Sequence, residues 1–163
     1  MTLFRHLILV VLLTAPSGAV AKKTRLPAPA PPLRQLGVTL VNALNQGKFS
    51  IARSLVPSRK ELKALGLNLT KVEYDRFVQK RKEGFAKIHA KFAKKRLKLR
   101  KMGVTCQRFV FSRLAVGKTV KRGTKTIIKS ADVFARCGKK EYWVADPDGI
   151  FRAASGWKLM EFN

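Results

Sequence analysis

Acidic side chains are scarce in this chain: 9 Asp plus Glu stand against 35 Lys plus Arg in 163 residues, a formal net charge of +26 at pH 7. That imbalance excludes an ordinary neutral domain. Histidine and cysteine are rarer still, with 2 of each and no cluster at metal-ligand spacing, so the sequence implies no zinc site and no other resident metal. A nucleophile elbow, an HExxH helix, a P-loop and a dinucleotide fingerprint are all missing. Acid and base catalysis would fall to His89 once an N-terminal leader containing His6 is removed, and His89 stands among lysines. No cofactor is implied, and the pattern points away from an enzyme. The early apolar run is also far short of the roughly 20 residues that a membrane-spanning helix needs.

Core-forming residues, by contrast, are plentiful. Hydrophobic residues make up 46% of the chain and include 10 Phe, a composition that a charge-driven disordered tail would not have. The length allows one domain of common size and leaves no room for a second.

The first 21 residues read as a processing segment. Arg5 and His6 precede the apolar run Leu7 to Leu13, a break follows at Pro16-Ser17-Gly18, and Ala19-Val20-Ala21 gives a small-x-small cleavage pattern. The mature chain is therefore expected to be exported, to the periplasm or beyond, with no transmembrane segment. Export opens two readings of Cys106 and Cys137. They could form a disulfide closing a loop of about 30 residues, which would contribute about 3 to 4 kcal/mol, or they could be two small buried hydrophobes.

Residues 22–32 contain Pro27, Pro29, Pro31 and Pro32 alternating with alanine, which predicts an extended linker ahead of a single domain over 33–163. Leu36, Leu40 and Leu44 recur every fourth residue before Gly47, predicting an amphipathic helix over 33–46. A short helix is expected over 50–55. Ser58 with Glu61 and Thr70 with Glu73 are capping-box pairs that open two more helices, the second running to about Lys101. In that long helix Phe77, Val78, Phe85, Ile88, Phe92 and Leu99 form one apolar stripe, while Gly84 weakens its middle. From Gly103 the period becomes two, and strands are expected at 103–116, 124–137, 140–145 and 156–162, with turns at Arg122-Gly123, Gly138-Lys139, Asp146 to Gly149 and Ser155-Gly156. The fold class is α+β: N-terminal helices, one of them long and basic, packed on a curved antiparallel sheet of about four strands.

The run Asp132-Val133-Phe134-Ala135-Arg136, then Lys140-Glu141-Tyr142-Trp143-Val144, then Gly156-Trp157-Lys158-Leu159-Met160 resembles the closing strands of the nuclear-transport-factor-like, or cystatin-like, cone superfamily. The likeness is to small exported bacterial members and covers mainly residues 124–163. It implies a cone whose pocket Phe109, Phe111, Val133 and Trp143 would line. Some members are isomerases or dehydratases that use an Asp, His or Tyr inside the cone. Here Asp132, Tyr74 and Tyr142 are the residues of those types, and none matches a family catalytic position.

The positive balance is the strongest functional feature. Between Lys71 and Lys101 there are thirteen Lys or Arg against Glu73, Asp75 and Glu83. Lys80, Arg81, Lys82, Lys87, Lys91, Lys94, Lys95, Arg96, Lys98, Arg100 and Lys101 would make a basic ridge, with a second cluster at Lys118, Lys121, Arg122, Lys125 and Lys129. Solubility alone asks for a net charge of about 2 to 8 on a small domain. The excess points to a partner that is an anionic polymer or an anionic membrane surface, bound through phosphates without sequence discrimination. The rival readings are a cone-pocket ligand binder or enzyme and an accessory module that binds another protein.

Overall fold

A computed structural model describes residues 31–122 and 125–162. The expected signal segment and most of the expected linker lie outside these residues, as does Gly123 of the first hairpin turn.

Helix α1 runs from Pro31 to Gln46, two residues earlier than the sequence pattern suggests. Proline is well placed there, because the first turn of a helix needs no N–H from it. Leu36, Leu40, Val41 and Leu44 are buried along one side of α1. Gly47 at φ +63 ends the helix, and α2 (Phe49–Ala52) continues as a 3-10 turn over Arg53–Leu55. Both capping boxes form. Ser58 opens α3 (Arg59–Lys63) and Thr70 opens α4 (Lys71–Lys101), and in each box the glutamate returns the bond to the cap residue's own N–H. At 31 residues, α4 is about 46 Å long.

Six strands follow: β1 (Val110–Val116), β2 (Thr119–Arg122), β3 (Lys125–Cys137), β4 (Lys140–Ala145), β5 (Asp148–Ala153) and β6 (Gly156–Glu161). All pairings are antiparallel, and β3 is the centre. One edge of β3 pairs with β1 and then β2, and the other pairs with β4 and then β5, so the sheet is in effect a meander of four ribbons, two of them broken. Both breaks lie opposite the same stretch of β3. At the first, the Gly117 N–H donates to the Ser130 carbonyl (2.9 Å) and the Lys129 N–H to the Lys118 carbonyl (2.7 Å). At the second, Pro147 accepts from the Ala131 N–H (3.2 Å). These breaks curve the sheet. The four strands expected from the sequence leave out β2 and β5, which lie just beyond these breaks, and β5 begins at Asp148 within the expected turn.

The first strand begins at Val110 and not at 103. Gly103 (φ +75) ends α4, and the Val104 N–H returns to the Leu99 carbonyl (2.9 Å). Residues beyond it find no partner strand, because β3 runs out at Cys137. Phe109 instead bonds to a side chain: Asn45 Nδ2 donates to its carbonyl (2.7 Å) and its N–H donates to Asn45 Oδ1 (3.1 Å). This polar clasp fixes α1 against the start of β1.

The core lies between α1 and α4 on one side and the concave face of the sheet on the other. Phe85, Ile88, Phe92 and Leu99 are the buried residues of α4, while Phe77 and Val78 pack at the margin. The Phe92 and Phe109 rings meet edge-on at 5.1 Å, and Phe109 meets Tyr142 at 5.9 Å. Gly84 does not interrupt α4. It gives the closest approach of the helix to the chain end, since a Cβ there would stand 2.8 Å from the Phe162 carbonyl oxygen. Cys106 and Cys137 are disulfide-bonded, with Cα atoms 5.6 Å apart. Cys106 is in the segment leading into β1, off the sheet, and the bond anchors that segment to the end of β3.

Candidate functional site

Helical geometry sorts the eleven cations of the expected ridge into three groups. At about 100° per residue, Lys80, Lys87, Lys91, Lys94, Lys98 and Lys101 fall within about 80° of arc, on a stripe about 130° from the centre of the buried face. All six are exposed. None is in an ion pair among the described residues. Glu83 falls in the same sector between Lys80 and Lys87, so the unbroken stretch is Lys87 to Lys101, five lysines over about 21 Å. Arg76 extends the same side toward the helix start, a position the sequence reading left out. It faces Glu73, whose carboxyl is held below its ordinary range by the Thr70 N–H and hydroxyl and then by the Arg76 charge.

Arg81 and Lys95 point toward the sheet, and Arg96 toward the segment before β1, where they serve the fold. Arg81 sits in the middle of the apolar stripe, over the Phe77 ring at 4.4 Å, with Glu161 at 4.0 Å. Burial lowers its pKa, and Glu161 offsets part of that effect. Lys95 Nζ donates to the Trp143 carbonyl (2.7 Å) at the sheet edge, and burial likewise lowers its pKa. Arg96 donates to the Gln107 carbonyl (3.2 Å). Lys82 and Arg100 are exposed on the far flank of α4. Arg96 and Arg100 line two adjoining open hollows of about 320 and 330 Å³, the second reaching Cys106.

The acidic residues are largely occupied in holding the fold. Glu61 closes the α3 capping box and also accepts from Ser155. Burial works to raise its pKa, but the bonds from Ser155 and Ser58 and the Lys158 charge prevail and lower it. Glu141 accepts from Ser112 (2.6 Å) and Arg113 (2.9 Å), and the Ser112 bond, helped by Arg113 and the Arg136 charge, lowers its pKa against the opposing effect of burial. Little acid is left to neutralise the α4 stripe.

Of the residues expected to line a cone pocket, Phe109, Phe111 and Val133 share the main core cluster, while Asp132 and Trp143 lie outside it. Phe109 and Val133 are in the filled core at 1% and 0% exposure, and Phe111 lies against Gly37 of α1. Asp132 alternates to the opposite face of β3 from Val133, and there it accepts from Trp143 Nε1 (2.9 Å). Trp143 is itself exposed. Tyr74 also serves the fold, donating to the Pro57 carbonyl (3.2 Å) and accepting from Arg53 (2.9 Å). Among the described residues no group of three or more His, Cys, Asp or Glu could hold a metal ion, and no helix is long and apolar enough to cross a membrane.

No protein family, curated protein or solved structure matches the chain.

Proposed function

We propose that this protein is an exported, non-enzymatic domain that binds polyanionic surfaces through α4. The observation that carries the reading is the unpaired lysine stripe from Lys87 to Lys101, held on a helix whose other side is anchored by Phe85, Ile88, Phe92 and Leu99. A rigid row of ammonium groups spaced at about 5 Å presents point charges without a recognition geometry, which suits phosphate polymers, sulfated glycans, anionic lipid surfaces or nucleic acid alike. Anchoring matters here, because like charges gathered on a flexible segment would spread apart, whereas the buried side of α4 keeps them in a row. The disulfide is at home in an oxidising compartment, which is where the expected signal segment would send the chain.

Retention on heparin against a salt gradient tests the proposal. The protein should elute well above 0.3 M salt, while K87Q/K91Q/K94Q should elute much earlier. Elution of the unaltered protein at low salt would reject the reading. Kinship with the cone superfamily is proposed only at the level of architecture, on the strength of helices followed by a curved antiparallel meander. The filled interior gives no support to a catalytic cone.

A further inference from the structure

A second candidate surface lies on the convex side of the sheet, and no residue of α4 lines it. Lys158, Phe151, Ile127 and Val120 form one cross-strand row over β6, β5, β3 and β2. The short helix α3 covers the first half of this face, and its Leu62 and the sheet's Phe151 are both 0% exposed. Neither belongs to the main core cluster. Beyond α3 the row is left open. Ile127 and Val120, together with Met160 from β6, face Leu65 and Leu67 across an open groove of about 430 Å³.

Two features keep this groove open. Gly66 at φ +82 turns the chain after α3, and the Leu67 N–H bonds to the Leu62 carbonyl (3.0 Å), which sets Leu65 and Leu67 as one wall. Gly149 in the floor has φ +65, and a Cβ there would strike Met160 at 2.6 Å. Lys121 and Lys129 stand at the margin, and no acidic residue is among the lining residues. An apolar floor with a few convergent polar groups, in a volume of this size, is the usual form of a small-ligand site.

We propose that this groove binds a single-chain fatty carboxylate, with the alkyl chain along Leu65, Leu67, Val120, Ile127 and Met160 and the carboxylate at the lysine margin, where Lys129 shares the face of Ile127. The apolar lining calls for a hydrocarbon chain, and a lysine margin with no acidic residue in the lining calls for an anion at one end. A polyanion would satisfy the lysines and leave the apolar floor wet, so this ligand class differs from the one assigned to α4.

Titration calorimetry of the whole protein with dodecanoate, below its micellar concentration, tests the proposal. Binding should saturate at one per chain and exceed that of dodecanol at least tenfold. K121Q/K129Q, which alters exposed side chains only, should weaken dodecanoate at least tenfold, and V120W, which fills the groove, should abolish it. K87Q/K91Q/K94Q should bind dodecanoate as the unaltered protein does, which separates this site from the ridge. Absence of saturable binding, equal affinity for dodecanol, or indifference to K121Q/K129Q would each overturn the assignment. Loss of binding in the α4 variant would also overturn it, by moving the fatty acid to the ridge.

Discussion

Replacing Lys87, Lys91 and Lys94 with glutamine removes the first three of the five unbroken lysines and touches no buried group. The effect can be sized from counterion release. Each phosphate neutralised on double-stranded DNA contributes about −0.9 to the slope of log K against log salt, so five contacts give a slope of about −4.5. Raising salt from 50 to 200 mM should then weaken binding about 500-fold. With two contacts left, the slope should fall to about −1.8 and the same salt change should cost about 12-fold. The control is R59Q/K60Q/K63Q on α3, which alters the net charge by the same amount at exposed positions. Fluorescence anisotropy with a labelled duplex, repeated at four salt concentrations, reads both slopes. The reasoning fails if the α4 variant keeps the full slope, or if the α3 control loses as much, since either result would make binding a property of overall charge.

Three further outcomes follow from the fold. Reducing the Cys106–Cys137 bond, or replacing both cysteines with alanine, should cost about 3 to 4 kcal/mol, measured by urea unfolding, because the bond closes a loop of 31 residues' separation. Glu61 has a lowered pKa in the fold, so the stability it contributes should be complete above its ordinary value of 4.5 and be lost as pH falls through the folded value. E61Q, which keeps an acceptor for the Ser58 N–H but loses the charge, should therefore unfold more readily at pH 7 and show a flatter melting temperature between pH 5 and 3. G84A should destabilise the protein despite alanine's advantage of about 1 kcal/mol in a helix, because its Cβ meets the Phe162 carbonyl oxygen at 2.8 Å. A rise in melting temperature for G84A would contradict that close approach.

Local signals were enough to place the helices. The spacing of Leu36, Leu40 and Leu44 and the two capping boxes depend on residues a few positions apart, and such contacts form wherever the chain goes. The strands are less legible, for reasons that lie outside any local window. Residues 103–109 alternate like a strand, yet a strand needs a partner, and β3 ends before it can supply one. The breaks at Gly117 and Pro147 divide two ribbons, and the short basic β2 (Thr119–Arg122) carries too little apolar patterning to announce itself. The ridge was legible as composition but not as a surface. Only the packed helix separates Lys87, Lys91, Lys94, Lys98 and Lys101, which face water, from Arg81 and Lys95, which secure α4 to the sheet, and Arg96, which holds the segment before β1. Of the residues expected around a pocket, Phe109, Phe111 and Val133 share the core face, whereas Asp132 alternates to the opposite face of β3 beside Trp143. The groove beside α3 had no sequence signal, because it joins a turn after one helix to the far faces of strands more than fifty residues later.

The most direct test of the account is to map where a polyanion touches the protein. Lysine acetylation with and without bound polyphosphate, read residue by residue by mass spectrometry, should show protection at Lys87, Lys91, Lys94, Lys98 and Lys101 while Lys60 and Lys63 on α3 react as before. Equal protection of α3 and α4 lysines, or none on α4, would contradict the claim that this helix is the binding surface.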